Sequence, residues 1–144
     1  MPKTNAKLTL HGFEPYKEKK GEEYMNAKQR EHFKNLLFTW KTELMEEVDR
    51  TMSYMRDEAA NFPDPADRAS QEEEFSLELR TRDRERKLLK KIEQAIGRID
   101  SGDYGYCDET GEVIGVGRLM ARPTASLSLE AQQRRELKQK MFGD

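Results

Sequence analysis

The segment NFPDPADRAS at residues 61–70 separates two long stretches of helical periodicity, and it decides the fold. Pro63 and Pro65 prevent one helix from running through it, because proline lacks an N–H group and disfavours the α conformation of the residue before it. The chain must therefore reverse direction here. A short link between two amphipathic helices predicts an antiparallel helical hairpin. A parallel coiled coil between two chains is the alternative, and the two prolines disfavour it.

Upstream of this segment, apolar residues recur every three or four positions, which places them on one stripe of an α-helix. Asn26 and Gln29 have the spacing of a capping box, so we expect this helix to begin near Asn26 and end near Asn61. At 1.5 Å per residue it would be roughly 50 Å long. The expected stripe comprises Phe33, Leu37, Trp40, Leu44, Val48, Met52, Met55, Ala59 and Phe62.

Downstream, the pattern Ser70-x-x-Glu73 is a second capping box, and it predicts a helix from Ser70 to about Ile99. Counting outward from the turn places Trp40 of the first helix near Leu89 of the second. The stripe of this second helix is polar in its middle, and it comprises Phe75, Leu79, Arg82, Arg86, Leu89, Ile92, Ile96 and Ile99.

The composition limits what else the chain can form. Of its 144 residues 35% are hydrophobic and 38% are charged, which is too little apolar material for a thick core. A net charge of -2 disfavours a protein that coats nucleic acid, so we expect no independent sequence-specific DNA binding. No apolar run could span a membrane and no secretory signal is evident, so we expect a cytoplasmic protein. The single cysteine, Cys107, excludes an internal disulfide.

We expect a mainly α protein in which both chain ends form a small base for the hairpin. Residues 1–32 would supply the N-terminal part of the base, residues 33–99 the hairpin with its tip at 61–70, and residues 100–144 the rest. The segment 104–114 looks like a hairpin turn with short strands, and a last helix is predicted from Ser128 to Phe142, ended by Gly143. The apolar residues expected to pack in the base are Leu8, Leu10, Phe13, Tyr16, Tyr24, Tyr104, Tyr106, Val113, Ile114, Val116, Leu119, Leu127 and Leu129, with Leu137 and Met141 available on the last helix.

Two groups of charged residues could carry a function. Asp64 and Asp67 are carboxylates at the end of a long arm, where they could approach a metal ion or a basic wall, although Asp is also common in turns and helix caps. On the second helix, a basic stripe with spacings of four, three and four residues could hold a polyphosphate, or it could be a solvated face. This stripe comprises Arg80, Arg84, Lys87 and Lys91.

A catalytic function has little support in the sequence. The histidines, His11 and His32, have no partners nearby in the sequence, and no base can be placed for Cys107. The glycines match neither a Walker loop nor a dinucleotide-binding loop. We therefore expect no enzyme.

The segment 61–80, NFPDPADRASQEEEFSLELR, and its continuation RDRERK at 82–87 closely resemble the DksA family. The resemblance extends to residues 14–16, 21–26, 105–107 and 121–125, so it covers most of the chain. It implies a monomer that binds bacterial RNA polymerase, inserts its coiled-coil hairpin into the secondary channel and regulates initiation, for example at rRNA promoters. It also implies guanosine tetraphosphate (ppGpp) as co-regulator in the stringent response.

The resemblance assigns roles to individual residues. The family's tip motif Asp-x-x-Asp-x-Ala is present as Asp64, Asp67 and Ala69. One further basic position of the family's ppGpp site is Gln132 here, which puts the nucleotide affinity in question. The residues that match the rest of that site are Arg84, Lys87, Leu88, Lys91 and Arg122.

The chain departs from the family at the metal site. Family members commonly hold zinc with two Cys-x-x-Cys pairs, and the four positions are Cys107, Thr110, Ser128 and Ala131 here. One thiolate cannot retain a structural zinc, so we expect a zinc-free member whose base is held by packing. Ser128 could cap the last helix instead.

Two alternatives remain open from the sequence. A factor resembling the Gre proteins would use its acidic tip to help a metal ion hydrolyse backtracked RNA. The tip motif favours the DksA-like regulator of initiation over this alternative. A free-standing nucleic-acid binder would show a steep salt dependence, and the net charge disfavours it.

Overall fold

Two long antiparallel helices dominate the molecule. The computed structural model describes residues 14–59 and 65–143, leaving aside the side chains of residues 59–67. Helix α1 spans Ala27–Ala59, α2 spans Pro65–Ser101, α3 spans Val116–Ala121 and α4 spans Leu129–Phe142. The predicted mainly α class is confirmed. The sequence did not predict the short helix α3.

The second long helix begins five residues earlier than predicted, at Pro65 instead of Ser70. Proline suits the first helical position, because its missing N–H group would have no partner there in any case. The prediction that Ser70 caps this helix is therefore wrong, since Ser70 lies inside it. Asp67 falls in the first turn, where the helix dipole favours an acidic residue.

Contacts between the two long helices establish that they are antiparallel. Near the base, the Lys34 ammonium lies 2.8 Å from an Asp100 oxygen. Closer to the tip, the Gln71 side-chain amide donates to the backbone carbonyl of Glu58 at 2.8 Å. Residue numbers therefore rise along α1 as they fall along α2. The predicted hairpin is confirmed.

The core lies at the base end of the hairpin. Phe33 and Leu37 of α1 and Ile92 of α2 are fully buried, and Leu36, which the predicted stripe omits, is buried with them. Toward the tip from Leu44 on α1 and from Ile92 on α2, no described side chain is buried. The distal part of the arm is therefore a thin pair of helices.

Some predicted seam residues face solvent in this distal part. Met52 is 38% exposed and Leu79 is 46% exposed, so their assignment to the seam is wrong. Arg82 lies half-buried as predicted, but Arg86 is exposed and Glu85 takes the next inward position. The Arg82 Nε atom and the Glu85 Oε1 atom are both buried without a hydrogen-bond partner.

The start of α1 is fixed by a hydrogen-bonded cluster around Glu22. Its carboxylate accepts bonds from the Lys19 N–H group, the Tyr16 hydroxyl, and the amides of Asn26 and Gln29. These bonds, that of the Lys19 N–H group first, lower the pKa of Glu22 to about 2. Half of the predicted capping box is present: Asn26 Oδ1 accepts from the Gln29 N–H group at 2.9 Å, whereas the Gln29 side chain accepts from the Met25 N–H group at 2.7 Å and not from that of Asn26.

Two tyrosines fasten the base to the start of α1 and the end of α2. The Tyr24 hydroxyl donates to the Gly105 carbonyl at 2.7 Å and accepts from the Gly115 N–H group at 2.9 Å. Tyr104 is 2% exposed, and its hydroxyl donates to the Pro123 carbonyl at 2.7 Å. Gly105 has a φ of +89°, and a Cβ atom there would lie 2.9 Å from the Tyr24 hydroxyl. Only glycine fits this position.

The segment after α2 forms a turn without the predicted strands. Tyr106 and Val113 make a single antiparallel bridge, and no strand occurs among residues 14–59 and 65–143. Val113 and Leu129 are 56% and 55% exposed, so the prediction that they pack in the base is wrong. The residues from that prediction that are buried here are Tyr104, Ile114, Val116, Leu119 and Leu127.

The last helix agrees with the sequence in its ends but not in its packing. Ser128 is the N-cap and accepts from the Ala131 N–H group at 3.2 Å, while Gly143 is the C-cap with a φ of 77°. Leu137 and Met141, predicted to be available for packing, are 58% and 67% exposed. Only Ala131 of this helix is buried, so α4 lies on the base by its first turn.

Some predictions fall on residues outside this description. The packing of Leu8, Leu10 and Phe13 in the base concerns residues 1–13, and the end of α1 near Asn61 falls in the segment 60–64. Within the described ranges, none of the helices combines the length and the apolar character that crossing a membrane requires.

The polar centre of the seam predicts how hairpin stability depends on pH. Burial raises the pKa of Glu85 above its ordinary value of 4.5, and the Glu47 carboxylate, through its charge and a shared hydrogen bond, raises it further. A carboxyl group with a higher pKa in the folded state stabilises the fold below its unfolded pKa. This contribution is lost as the pH rises through the folded pKa.

We therefore expect the Glu85→Gln variant to melt at a temperature close to that of the wild type at pH 4, and a few degrees above it at pH 7. The measurement is thermal unfolding followed by circular dichroism across this pH range. The control is Glu72→Gln, which removes an exposed carboxylate from the same helix. A Glu85→Gln variant with the same pH dependence as the wild type would contradict the prediction.

Candidate functional site

The acidic segment at the tip is only partly described. Asp64 lies outside the described residues, and Asp67 has a described backbone in the first turn of α2 but no described side chain. Ala69 is exposed on the same helix. All three residues were expected in the turn before the second helix, and this is wrong for Asp67 and Ala69, because α2 already begins at Pro65. A helical backbone fixes the spacing of these two residues more tightly than a turn would.

The basic residues of the α2 stripe are exposed to solvent and make no ion pairs with the described residues. Arg80, Arg84, Lys87 and Lys91 are all exposed. None of them takes part in an ion pair within the described part of the chain. If the stripe were only a solvated face, an ion pair between Asp83 and Lys87 would be expected. The described residues contain no such pair. The stripe therefore presents uncompensated positive charge.

An open cleft of about 970 Å³ lies where the end of this stripe meets the base. Leu88 and Lys91 line it from α2, Arg122 lines it from the segment after α3, and Gln132 lines it from α4. The structure thus brings together three of the five residues assigned to nucleotide binding. Arg84 and Lys87 do not line the cleft and lie one to two helical turns nearer the tip.

Two further arginines line the cleft but are engaged in holding the base. Arg98 donates to the Asp108 carboxylate and, at 2.9 Å, to the Tyr106 carbonyl. Arg118 donates to the Leu127 carbonyl at 3.1 Å. Lys91 and Arg122 take part in no side-chain hydrogen bond of the described residues, so they are the cations of the cleft that are free to meet an anion.

The α4 wall of the cleft carries no cation. The Gln132 side-chain amide donates to the Glu136 carboxylate at 2.8 Å, one turn further along α4. An amide held in this way offers no net positive charge to a phosphate. An anion in the cleft would therefore be held by α2 and Arg122 more than by α4.

Trp40, which its spacing assigned only to the seam, also lines the cleft. It is half-buried, packs against the core and faces the cleft beside Leu88. Its spacing in the sequence could not predict that it lines the cleft, because a residue of the seam and a residue that also faces a cleft recur at the same helical interval. Trp40 is half-exposed because it lies where the base meets the arm, at the edge of the cleft.

Of the four positions that correspond to metal ligands, Cys107 and Thr110 lie in a hydrogen-bonded turn, and Ser128 and Ala131 lie at the start of α4. Cys107 is buried, Ser128 uses its hydroxyl to cap α4, and Ala131 contributes a buried methyl group. One thiol, two hydroxyls and a methyl group do not fit a tetrahedral zinc site of four thiolates. Among the described residues, no group of three or more His, Cys, Asp or Glu side chains could hold a metal ion.

The Cys107 sulfur is surrounded by hydrogen-bond donors. Burial raises the pKa of this thiol, but the Thr110 hydroxyl and the N–H groups of Ser128, Thr110 and Glu109 outweigh burial, so the pKa falls to about 6. The turn that surrounds the sulfur is closed by bonds from Cys107 N–H to the Glu112 carbonyl and from Gly111 N–H to the Cys107 carbonyl. Hydrogen bonds to one sulfur connect the turn to the start of α4.

Two family models match the chain. Residues 29–99 match the model described as "DnaK suppressor protein DksA, N-terminal domain". Residues 102–137 match the model described as "Prokaryotic dksA/traR C4-type zinc finger". The second description names four cysteines, whereas this chain contains one cysteine in all.

Known proteins of the same kind are similar over nearly the whole chain. The RNA polymerase-binding transcription factor DksA of Salmonella typhimurium is 57% identical over 135 residues, which is 94% of this chain and 89% of that protein. The protein of the same name from Haemophilus influenzae is 56% identical over 133 residues, 92% of each chain. The solved structure of transcription factor DksA2 from Pseudomonas aeruginosa has a TM-score of 0.77 and 43% identity, covering 81% of this chain and 90% of that one.

Proposed function

This chain belongs to the DksA family of RNA polymerase-binding transcription factors, and from that premise we propose that it binds bacterial RNA polymerase and regulates transcription initiation. It acts by inserting its helical arm into the secondary channel. The observation that carries this proposal is the thin distal part of the arm, where no described side chain beyond Leu44 and Ile92 is buried. A pair of helices on which no other element packs can enter a narrow channel.

The tip acts inside the channel as an effector and not as a catalyst. Fifteen residues of α1 follow Leu44, so the exposed part of the arm extends roughly 22 Å beyond the core. Asp67 and Ala69 lie near the start of α2, and Asp64 directly precedes this helix in the sequence. The carboxylates alter the surroundings of the polymerase active centre by their charge, while the arm holds them at a fixed distance from the base.

The base supplies the second contact with the polymerase. Helix α4 presents Leu137, Met141 and Phe142 at 58%, 67% and 72% exposure, and an apolar group of this kind favours a contact with another protein. Contacts at both the base and the arm fix the depth to which the tip enters.

The cleft binds ppGpp together with the polymerase, and the nucleotide strengthens regulation of promoters such as those of rRNA in the stringent response. Lys91 and Arg122 face the pyrophosphate groups, with Arg84 and Lys87 extending the positive surface along α2, and Leu88 and Trp40 supply the apolar wall. Because the cleft is open on one side, the chain alone provides only part of a site. Gln132 in place of a cation makes the binding weaker.

The chain carries out this function without zinc. The turn at Cys107 and the N-cap at Ser128 hold the end of α2 to the start of α4, which is the connection that a four-cysteine zinc site would make. Such a base would keep its shape when zinc is scarce.

The function of the tip is tested by the Asp67→Asn variant in transcription in vitro from an rRNA promoter, with and without ppGpp. We expect this variant to bind polymerase much as the wild type does and to lose most of the regulatory effect, because one carboxylate at the tip is neutralised while the contact surfaces are unchanged. Loss of binding with normal regulation per bound molecule would contradict the role of the tip. Shortening of RNA in stalled complexes by the wild type would instead indicate a Gre-like cleavage factor.

The nucleotide site is tested by Lys91→Ala and Arg122→Ala. Because each variant removes a charge-assisted contact, we expect the ppGpp concentration for half-maximal effect to rise roughly tenfold or more. The matched control is Arg80→Ala, which removes a charge from the same face of α2 outside the cleft. An equal response of all three variants would contradict the assignment of the cleft.

The absence of zinc is tested by rebuilding the metal site. We expect a variant with Thr110→Cys, Ser128→Cys and Ala131→Cys to bind about one zinc per chain, because it restores four thiolates around the Cys107 turn. The wild type should bind none, as measured by elemental analysis of protein purified from zinc-containing medium. The same triple variant with Cys107→Ser should bind zinc more weakly. One tightly bound zinc per wild-type chain would refute the proposal.

A further inference from the structure

The seam between the two long helices becomes polar in the middle of the arm. All the half-buried positions of α2 between residues 76 and 87 carry charged side chains, whereas the seam positions toward the base include Leu88 and Ile92. On α1, the half-buried position that follows Leu44 and Val48 along the seam is a threonine. The residues called the polar layer below are Thr51 of α1 and Glu78, Arg82 and Glu85 of α2, with Glu47 of α1 at the edge.

The charged groups of the polar layer do not neutralise one another. Arg82 and Glu85 lie three residues apart on the same side of α2, but no ion pair between described residues includes either of them. The Arg82 Nε atom and the Glu85 Oε1 atom are buried without a hydrogen-bond partner. A buried donor or acceptor without a partner has lost its hydration and gained no bond in exchange. Both atoms therefore destabilise the closed seam.

Repulsion between carboxylates acts in the same direction. The carboxyl groups of Glu85 and Glu47 share a hydrogen bond between the two helices, and one of the two groups must keep a proton to donate it. Burial first, and then the charges of Glu47 and Glu78, raise the pKa of Glu85, while Arg50 lowers it by less. The closed seam therefore holds either a protonated carboxyl group or two carboxylates in contact. At neutral pH both arrangements are less favourable than separate, hydrated side chains.

Beyond the polar layer, few contacts hold the two helices together. Met55 and Phe75 are half-buried, and no described side chain of this part is fully buried. The Gln71 side-chain amide donates to the Glu58 carbonyl at 2.8 Å. Water competes for a partly exposed hydrogen bond of this kind, so its net contribution is small. On the base side of the layer, by contrast, Leu44 is 4% exposed and belongs to the core.

We propose that the polar layer divides the arm into two cooperative units, and that the distal unit opens while the base stays folded. The distal unit comprises the described residues 48–58 of α1 and 68–85 of α2. Opening brings water to Arg82 Nε and Glu85 Oε1 and separates the two carboxyl groups, and it breaks few apolar contacts. Segments with few buried contacts commonly open locally without global unfolding. The opening is a property of the chain alone, so it holds whether or not the arm enters a channel.

Native-state hydrogen exchange of the full chain, followed by NMR at low urea concentrations, tests the proposal. After correction for intrinsic rates, the wild-type amides of residues 50–57 and 72–83 should exchange roughly tenfold faster or more than those of residues 33–44 and 92–99. Their exchange should respond weakly to urea, because a local opening exposes little surface. The amides of the base should respond as strongly as global unfolding does.

A variant in each unit shows whether the two units are separate. Ile96→Val weakens the buried core, so it should lower the protection of the base amides and leave that of the distal amides unchanged. Arg82→Leu/Glu85→Leu makes the layer apolar, so it should raise the protection of the distal amides roughly tenfold or more, equally at two protein concentrations. The matched control is Asp83→Leu/Arg86→Leu, which makes the same change of side chains on the exposed face of α2 and should leave the distal protection unchanged.

Each other outcome overturns a defined part of the proposal. Equal loss of protection in both units of Ile96→Val shows a single cooperative hairpin, as does a wild-type arm that exchanges as slowly as the base. An apolar layer that adds no distal protection shows that the polar layer is not the boundary. An equal gain in the control assigns the effect to leucine in a helix, and a gain only at the higher protein concentration assigns it to association between chains. Either result refutes the role of the layer.

Discussion

The packing of Phe33 and Leu37 of α1 against Ile92 and Ile96 of α2 is the contact on which the rest of the structure depends. It closes the base end of the hairpin and also provides the floor on which the remaining chain lies. Tyr104 reaches this cluster from the end of α2, with its ring 5.7 Å from that of Phe33. Without this contact neither the direction of the arm nor the position of α4 would be defined.

A base without a four-thiolate metal site needs other connections between distant parts of the chain, and polar groups provide them here. The Tyr24 hydroxyl connects the segment before α1 with the Gly105 carbonyl and the Gly115 N–H group. Arg98 connects the last turns of α2 with the turn at Asp108. An ion pair between Arg135 and Glu109 adds a contact from α4, with an N–O distance of 2.6 Å. These bonds have definite directions, so they fix geometry as well as contributing stability.

The arm illustrates a conflict between stability and reach. Burying more apolar residues along it would stabilise the hairpin, but each additional packed element would widen it. The chain instead ends its buried core at Leu44 and places Arg82 and Glu85 in the distal seam. A thin, polar arm is less stable per residue than the base, and it leaves both of its flanks accessible to a partner.

The sequence by itself predicted the hairpin, because two prolines between two amphipathic stretches favour a reversal of the chain, and it predicted the ends of α4 through Ser128 and Gly143. It also identified the basic residues at Lys91 and Arg122, through resemblance to a known family. Only the tertiary structure decided that these two residues share a cleft, that Trp40 lines it, and that Val113 and Leu129 face solvent. Spacing reports which side of a helix a residue occupies. It does not report which sides meet another element, since that depends on contacts between residues far apart in the chain.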